Sequence, residues 1–162
     1  MLIHQCLSDY YGAYHALESV YDEGKIRVIG VSNFSVERMA DIATFNRIAP
    51  AVNQVETHLF WQQYNLHEWM VKYNMQHEAW GPLAQHRLKE VLENPVVKQI
   101  ADAHGKTPAQ VALRQHIQRG IVVIPKSVHK ERMKQNMDIF DFKLTDNEME
   151  QLKMLDENKS MW

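Results

Sequence analysis

Short apolar, strand-like runs recur along this chain at an almost constant interval, and that interval constrains the fold more than any other feature. The pattern predicts strands that begin at Leu2, Ile26, Ala51 and Met75, spaced 24, 25 and 24 residues apart. Helical patterns fill the intervals. A strand, a helix and a second parallel strand occupy about this length of chain, and such units are right-handed in nearly all proteins. The sequence therefore predicts an α/β fold with a parallel sheet.

Helix caps and glycines bound the predicted elements. Ser35 is a predicted N-cap, and Thr107 and Thr145 each begin a capping box that Gln or Glu completes three residues later. The predicted strands are residues 2–4, 26–31, 51–56, 75–80 and 121–125. The predicted helices include 11–23, 35–45, 63–73, one that ends at Gly120 and one that follows Thr145. No linker interrupts these elements, so we predict one domain over residues 1–162.

Composition narrows the possible partners. The chain has 18 Lys and Arg against 20 Asp and Glu, so its net charge of −2 predicts neither nucleic acid nor an acidic membrane surface as a partner. No apolar run approaches the ~20 residues that a membrane span requires. Cys6 is the single cysteine, which rules out an internal disulfide and favours a reducing compartment. We expect a cytoplasmic chain that binds no membrane.

The segment IVVIPKSVHKERMKQN (121–136) joins a buried apolar run to a basic helix. Lys126, Ser127, Arg132 and Asn136 would then gather near a helix N-terminus, where free backbone N–H groups and positive potential favour anions. Arg132 can also stack on a flat ring. A phosphate site is one interpretation, and a buried strand followed by an ordinary solvated helix is the other.

Polar and aromatic side chains follow the predicted strands where each strand ends. The carboxyl ends of parallel strands are where such sheets place their ligands. Asn33 and Gln54 can hydrogen-bond a carboxamide, and the face of Trp80 can carry a pyridine ring. Gly81 would let the backbone approach a ligand closely. Each residue alone also fits a turn or a core position, but together they suit a dinucleotide.

A metal site is not predicted, although the sequence has nine histidines. The run His77-Glu78-Ala79-Trp80-Gly81 lacks the second His of an H-E-x-x-H motif. No group of Cys and His has the spacing of a zinc quartet.

Five blocks of the sequence together resemble the aldo-keto reductase family. They are GKIRVIGVSNF (24–34), PAVNQVETH (50–58), EAWGPLAQ (78–85), HGKTPAQVALR (104–114) and IVVIPKSVHKERMKQN (121–136). Their order and spacing match the family over essentially the whole chain. The Trp-Gly-Pro-Leu run resembles the bacterial branch that includes 2,5-diketo-gluconate reductases. The resemblance implies an NADP(H)-dependent oxidoreductase that reduces aldehyde and ketone carbonyls of small substrates to alcohols by hydride transfer.

The resemblance also implies a fold and a way of binding the cofactor. The family is a TIM barrel, (β/α)8, and this chain resembles a partial barrel of strands 4 to 8 with their helices. The family binds NADP(H) without the Gly-rich loop of doubly wound folds, and no G-x-G-x-x-G motif occurs in this sequence.

Roles for individual residues follow from the same resemblance. Ser32, Asn33 and Gln54 are implied ligands of the nicotinamide carboxamide, and Trp80 would stack on the ring. The implied pyrophosphate path consists of Gly81, Pro82, Leu83 and Gln85. The implied ligands of the 2′-phosphate are Lys126, Ser127 and Val128, and those of the adenine are Arg132, Gln135 and Asn136. His4 matches the histidine that polarises the substrate carbonyl, which makes it the one catalytic residue implied here.

Three catalytic residues of the family find no match in this sequence: the general-acid Tyr, the Lys that lowers its pKa and the Asp that orders both. Tyr10, Tyr11 and Tyr14 lie in or just before the first predicted helix, not in that motif. Two interpretations therefore stay open. The chain is the C-terminal part of a carbonyl reductase, or it is a truncated non-catalytic remnant that at most binds NADP(H) or pairs with another barrel fragment. An open sheet also exposes two edges, so self-association is expected.

Overall fold

The computed structural model of the chain describes residues 1–161. Its strands are β1 (Leu2–Ile3), β2 (Gly30–Ser32), β3 (Val52–Glu56), β4 (Gln76–Trp80) and β5 (Val122–Val123). Its helices are α1 (Tyr10–Asp22), α2 (Val36–Phe45), α3 (Tyr64–Lys72), α4 (Leu88–Glu93), α5 (Pro95–His104), α6 (Pro108–Gln118), α7 (Lys130–Met137) and α8 (Asp146–Lys153). A short 3₁₀ turn, Gln85–Arg87, precedes α4. The predicted alternation of strands and helices is confirmed.

The five strands form one sheet in their sequence order, β1-β2-β3-β4-β5. β1 pairs with β2 in parallel, with Leu2 opposite Gly30, and β2 pairs with β3 in parallel, with Ser32 opposite Gln54. Repeated βα units produce such a sheet, in which each strand lies beside the next one in the sequence and a helix connects the two. It places the ends of β1, β2 and β3 at the same edge of the sheet.

All five strands are shorter than predicted, three of them by one residue and two of them, β2 and β5, by three. The apolar run at 26–31 gives only Gly30–Ser32, and the run at 121–125 gives only Val122–Val123. Leu2, the first residue of β1, lies opposite Gly30, so the preceding part of the run faces no residue of that strand. The prediction of a buried run at 121–125 is also wrong, because only Ile121 is buried there, whereas Val122 and Ile124 are exposed. The hydrogen-bond ladder sets the length of each strand.

The predicted helix starts are confirmed at three threonine and serine caps. The Ser35 hydroxyl accepts from the Arg38 N–H, and both Thr107 and Thr145 complete capping boxes, with Gln110 and Glu148. Helices α4 and α5 were not predicted. Asn94 caps α5 by accepting from the N–H groups of Val96 and Val97. Its neighbour Pro95 occupies the first helical position, a signal that was present in the sequence.

The chain forms two compact units, each with its own apolar core. The first unit contains Met1–Val55 and Tyr64–Glu78, and the second contains Glu56–Gln63 and Ala79–Trp162. The buried core of the first is Tyr14, Ile29, Val31, Phe34, Met39, Ile42, Val55, Leu66, Met70 and Met75. The buried core of the second is Leu59, Phe60, Ala84, Val91, Val97, Ile100, Ala101, Val111, Ala112, Leu144 and Leu152. None of the helices within residues 1–161 has the length and apolar character needed to cross a membrane.

Candidate functional site

A cavity of about 370 Å³ lies in the second unit, between the loop after β5 and the elements that follow β4. Its size falls within the range of about 300–1,000 Å³ typical of ligand pockets. The predicted site residues that line it are Leu83, Lys126, Ser127, Val128, Arg132, Gln135 and Asn136. The structure thus gathers the whole adenosine-side set around one space.

The polar wall of this cavity comes from the loop after β5 and from helix α7. The Ser127 hydroxyl accepts from the His129 N–H at 3.1 Å, which turns the chain into α7 with His129 at the N-cap. The first N–H groups of a helix lack intrahelical partners and carry positive potential. Lys126 and Arg132 are exposed side chains on the same wall. This wall therefore favours an anion.

The opposite wall is apolar and was only partly predicted. Leu88 and Leu92 of α4 line it together with Leu83, and Thr107 and Ala109 add the start of α6. The predicted set omitted Leu88 and Leu92 because the helix that carries them was not predicted. Side chains of this kind can cover one face of a flat aromatic ring by burying its apolar surface.

The segment after β4 turns sharply. Gly81 has a φ of 63°, in the left-handed region that favours glycine, and its carbonyl accepts from the Ala84 N–H at 2.8 Å. Pro82 is buried, Trp80 is half-buried and Gln85 is exposed. Trp80 also fixes the neighbouring segment, because its carbonyl accepts from the Thr57 N–H at 3.2 Å. The predicted pyrophosphate residues therefore form one continuous turn in the second unit.

Four other predicted residues come together in the first unit, where β1 and β2 end beside the middle of β3. The buried Ser32 hydroxyl donates to the Gln54 carbonyl at 2.7 Å. Asn33, at a φ of 60°, donates its backbone N–H to the same carbonyl at 3.0 Å. Its side-chain amide donates to the His4 carbonyl at 3.2 Å, and the Gln54 amide donates to Glu78. These bonds fix the backbone around Ser32 and Asn33, and His4 stays exposed beside them.

Asn53 is a buried residue of β3 that organises this rim without being part of the predicted set. Its side chain donates to the Phe34 carbonyl at 2.9 Å and accepts from the Phe34 N–H at 3.4 Å. A buried amide bound on both sides in this way is a structural clamp. It holds the loop that carries Asn33 against β3.

The tyrosines at the start of α1 are held as structural donors. The Tyr14 hydroxyl is buried and donates to the Ile48 carbonyl at 2.8 Å, and burial raises its pKa. The Tyr11 hydroxyl donates to Asp41 at 2.5 Å, and this hydrogen bond raises the pKa of Tyr11 to about 12. A tyrosine that supplies a proton near neutral pH needs the opposite shift.

No cluster of three or more Cys, His, Asp or Glu side chains within residues 1–161 is arranged to hold a metal ion.

The model of the Aldo/keto reductase family matches residues 3–157. The chain belongs to this family. It is 43% identical over 159 residues to the glyoxal reductase of Bacillus subtilis, which covers 98% of this chain and 56% of that reductase. Aldo/keto reductase membership was the interpretation given by the five sequence blocks, and it is confirmed.

Two solved structures share the fold. MGS-M4, an aldo-keto reductase from a Medee basin deep-sea metagenome library, matches with a TM-score of 0.95 and 43% identity over 99% of this chain and 60% of its own. A Gox0644 variant in complex with NADPH matches with a TM-score of 0.88 and 38% identity over 96% of this chain and 57% of its own. The predicted fold class, a partial barrel of the (β/α)8 family, is confirmed. The chain spans about half the length of the curated relatives it matches.

Proposed function

We propose that this chain is the cofactor-binding part of an NADP(H)-dependent reductase that converts aldehyde or ketone carbonyls to alcohols. The observation that carries the proposal is the cavity in which Lys126, Ser127 and Arg132 meet the start of α7. The NADPH complex of the Gox0644 variant and the name of the glyoxal reductase relative support the same cofactor and the same chemistry.

The chemistry of the cavity fits the adenosine end of NADP(H). Lys126 and Arg132 would bind the 2′-phosphate as cations, with Ser127 and free N–H groups of α7 as neutral donors. Gln135 and Asn136 offer amides to the adenine edge, and the apolar wall offers a surface for its ring. No Asp or Glu occurs among the described residues that line the cavity, so no fixed negative charge opposes the phosphate.

The rim in the first unit fits the reacting end of the cofactor. When bound, NADPH supplies the hydride. Ser32, Asn33 and Gln54 would orient the nicotinamide carboxamide, because hydrogen bonds from the Ser32 hydroxyl and from the Asn33 N–H and side-chain amide already hold this segment in place. His4 would donate a hydrogen bond to the substrate carbonyl and so polarise it.

A second candidate is cofactor binding without turnover by this chain. It is favoured by the state of the tyrosines: Tyr11 and Tyr14 donate to fixed protein acceptors, and their raised pKa values oppose proton transfer near neutral pH. A carbonyl reduction needs a proton for the developing alkoxide as well as a hydride.

A calorimetric titration of the purified chain with NADPH tests the binding part of the proposal. We expect NADPH to bind, and Lys126→Ala to weaken it about 10- to 100-fold, the worth of a hydrogen bond between charged groups. NADH lacks the 2′-phosphate, so its affinity should be insensitive to Lys126→Ala. Lys134→Ala is the matched control, since it removes the same charge from an exposed position of α7 that does not line the cavity.

The outcomes separate the two candidates. If NADPH does not bind, or if both lysine variants weaken it equally, the cavity is not a specific cofactor site and the proposal is wrong. Consumption of NADPH with glyoxal that His4→Ala abolishes would support carbonyl reduction. Binding of NADPH without consumption would support the second candidate.

A further inference from the structure

Glu56 is a buried carboxylate at the end of β3, and it belongs neither to the apolar core nor to the proposed cofactor ligands. It is 5% exposed and receives three hydrogen bonds. His58 approaches Oε1 at 3.0 Å, the Met161 N–H donates to Oε1 at 2.7 Å, and the Ser160 hydroxyl donates to Oε2 at 2.5 Å. A buried carboxylate needs such donors because it has lost its hydration. Two of the three come from residues that lie more than 100 positions further along the chain.

His58 completes the carboxylate's surroundings from its own side. The ring is fully buried, and its Nδ1 faces the Phe60 N–H at 3.3 Å. Nδ1 is therefore the acceptor, which places the ring proton on Nε2, directed at Glu56. Burial lowers the pKa of His58, so the ring is neutral near neutral pH and acts here as a hydrogen-bond donor.

The segment held by Glu56 lies over Gly81. A Cβ placed on Gly81 would be 3.4 Å from Cε of Met161 and 3.4 Å from Cγ of Gln85. Met161 also packs against the apolar core of the second unit. The open face of Gly81 is thus bounded on two sides, by Gln85 and by Met161.

The rest of this tail is anchored independently of Glu56. The Glu157 N–H donates to the Phe60 carbonyl at 2.9 Å, and the Glu157 carboxylate binds Arg87 at 2.8 Å. Asp156 accepts from the Asn158 N–H at 3.0 Å and from the Gln62 N–H at 3.3 Å. Loss of the Glu56 contacts would therefore release residues 159–161 and leave α8 in place.

We propose that Glu56 is a positioning residue that holds Ser160 and Met161 against Gly81, where the Met161 side chain forms one wall of the pyrophosphate path. The proposal rests on the proposed function, which takes Gly81 as part of that path. A wall that is already ordered costs less entropy when the ligand binds than one that must first be immobilised. Release of the wall should therefore lower the affinity for the dinucleotide and shorten its residence time, whereas a ligand that occupies only the adenosine end should bind as before.

Two ligands of different length test this role. NADPH would span both the cavity and Gly81, whereas adenosine 2′-monophosphate would occupy the cavity alone. We expect Ser160→Ala and Met161→Ala to raise the dissociation rate of NADPH three- to tenfold in stopped-flow fluorescence, with the affinity for adenosine 2′-monophosphate changed less than twofold. Ser160→Thr keeps the hydroxyl and should retain the unsubstituted chain's rate. Lys159→Ala alters an exposed neighbour in the same segment and should also have no effect.

An unchanged NADPH dissociation rate in both alanine variants would refute the proposal that Met161 forms a wall of the path. Tighter binding in either variant would also refute it and would mean that Met161 obstructs the path. Equal weakening of both ligands would show damage to the cavity rather than loss of a wall. If the unsubstituted chain binds neither ligand, the proposed function fails and this role falls with it. If it binds both ligands and the variants behave like it, only the role of Glu56 is refuted.

Discussion

Gln62 offers the sharpest test of how the second unit is held together. Its side chain is fully buried, and its amide donates to the carbonyls of Leu59 and Leu152, each at 2.8 Å. Its Oε1 accepts from the Gln115 amide at 2.9 Å. One side chain therefore joins the loop after β3 to the ends of α6 and α8. We predict that Gln62→Leu, which keeps the volume and removes the polar atoms, destabilises the chain.

The magnitude follows from the groups left behind. The Leu59 carbonyl and the Gln115 amide would lose their partner, whereas the Leu152 carbonyl keeps the Leu155 N–H at 3.2 Å. Each buried unsatisfied group costs about 1–3 kcal/mol. The apolar side chain returns about 1.5 kcal/mol through its burial, which leaves a net loss of about 0.5–4.5 kcal/mol. The upper end of this range is a large part of the roughly 5–15 kcal/mol by which domains are stable. The Gln115 Oε1 already lacks a hydrogen-bond partner among the described residues, so this site has little capacity to rearrange.

Urea unfolding followed by circular dichroism measures this loss. Gln151→Leu is the matched control because it makes the same change at an exposed position of α8, where about ±0.5 kcal/mol is expected. A loss for Gln62→Leu no larger than that of the control, with an unchanged dependence on urea, would refute the reasoning from unsatisfied groups.

Three further predictions follow from other parts of the chain. Burial lowers the pKa of His116 from 6.5 to about 4, so the contribution of the neutral ring to the free energy of unfolding is complete above pH 6.5, and about 3 kcal/mol of it is lost as the pH falls to 4. The melting temperature of His116→Gln should therefore fall less between pH 6.5 and 4 than that of the unsubstituted chain. A Cβ at Gly30 would lie 2.3 Å from Cγ1 of Val52, so Gly30→Ala should cost about 1–3 kcal/mol in thermal unfolding, and an unchanged melting temperature would contradict the close packing of β2 on β3. We also propose that copies of the chain pair through β1 and β5, the strands at the two ends of the sheet. Analytical ultracentrifugation should then detect a dimer that Val122→Lys dissociates, and a monomer at every concentration would refute this pairing.

Local signals in the sequence were sufficient for much of the fold. The capping boxes at Thr107 and Thr145 could be predicted because all their atoms lie within four residues of one another. The α/β alternation and the parallel sheet followed from the regular spacing of apolar runs. Strand lengths could not be predicted in the same way, because the extent of β2 depends on which residues of β1 and β3 lie opposite it.

The candidate site divides along the same line. The polar wall of the cavity was predictable, since Lys126 to Asn136 form one continuous segment. Leu88 and Leu92 were missed with the helix that carries them. The contact of Glu56 with Ser160 joins residues 104 positions apart, and no local pattern in the sequence encodes it.

The cavity is built entirely from residues 83–136 of the second unit, and the polar groups that would choose between the two nicotinamide dinucleotides lie within residues 126–136 of that stretch. None of the side chains at the ends of β1, β2 and β3 belongs to it. Natural selection could therefore change the cofactor preference of this protein through a handful of substitutions after β5, with the reacting end left untouched. The choice of dinucleotide and the chemistry at the reacting end would then evolve as separate traits of one gene.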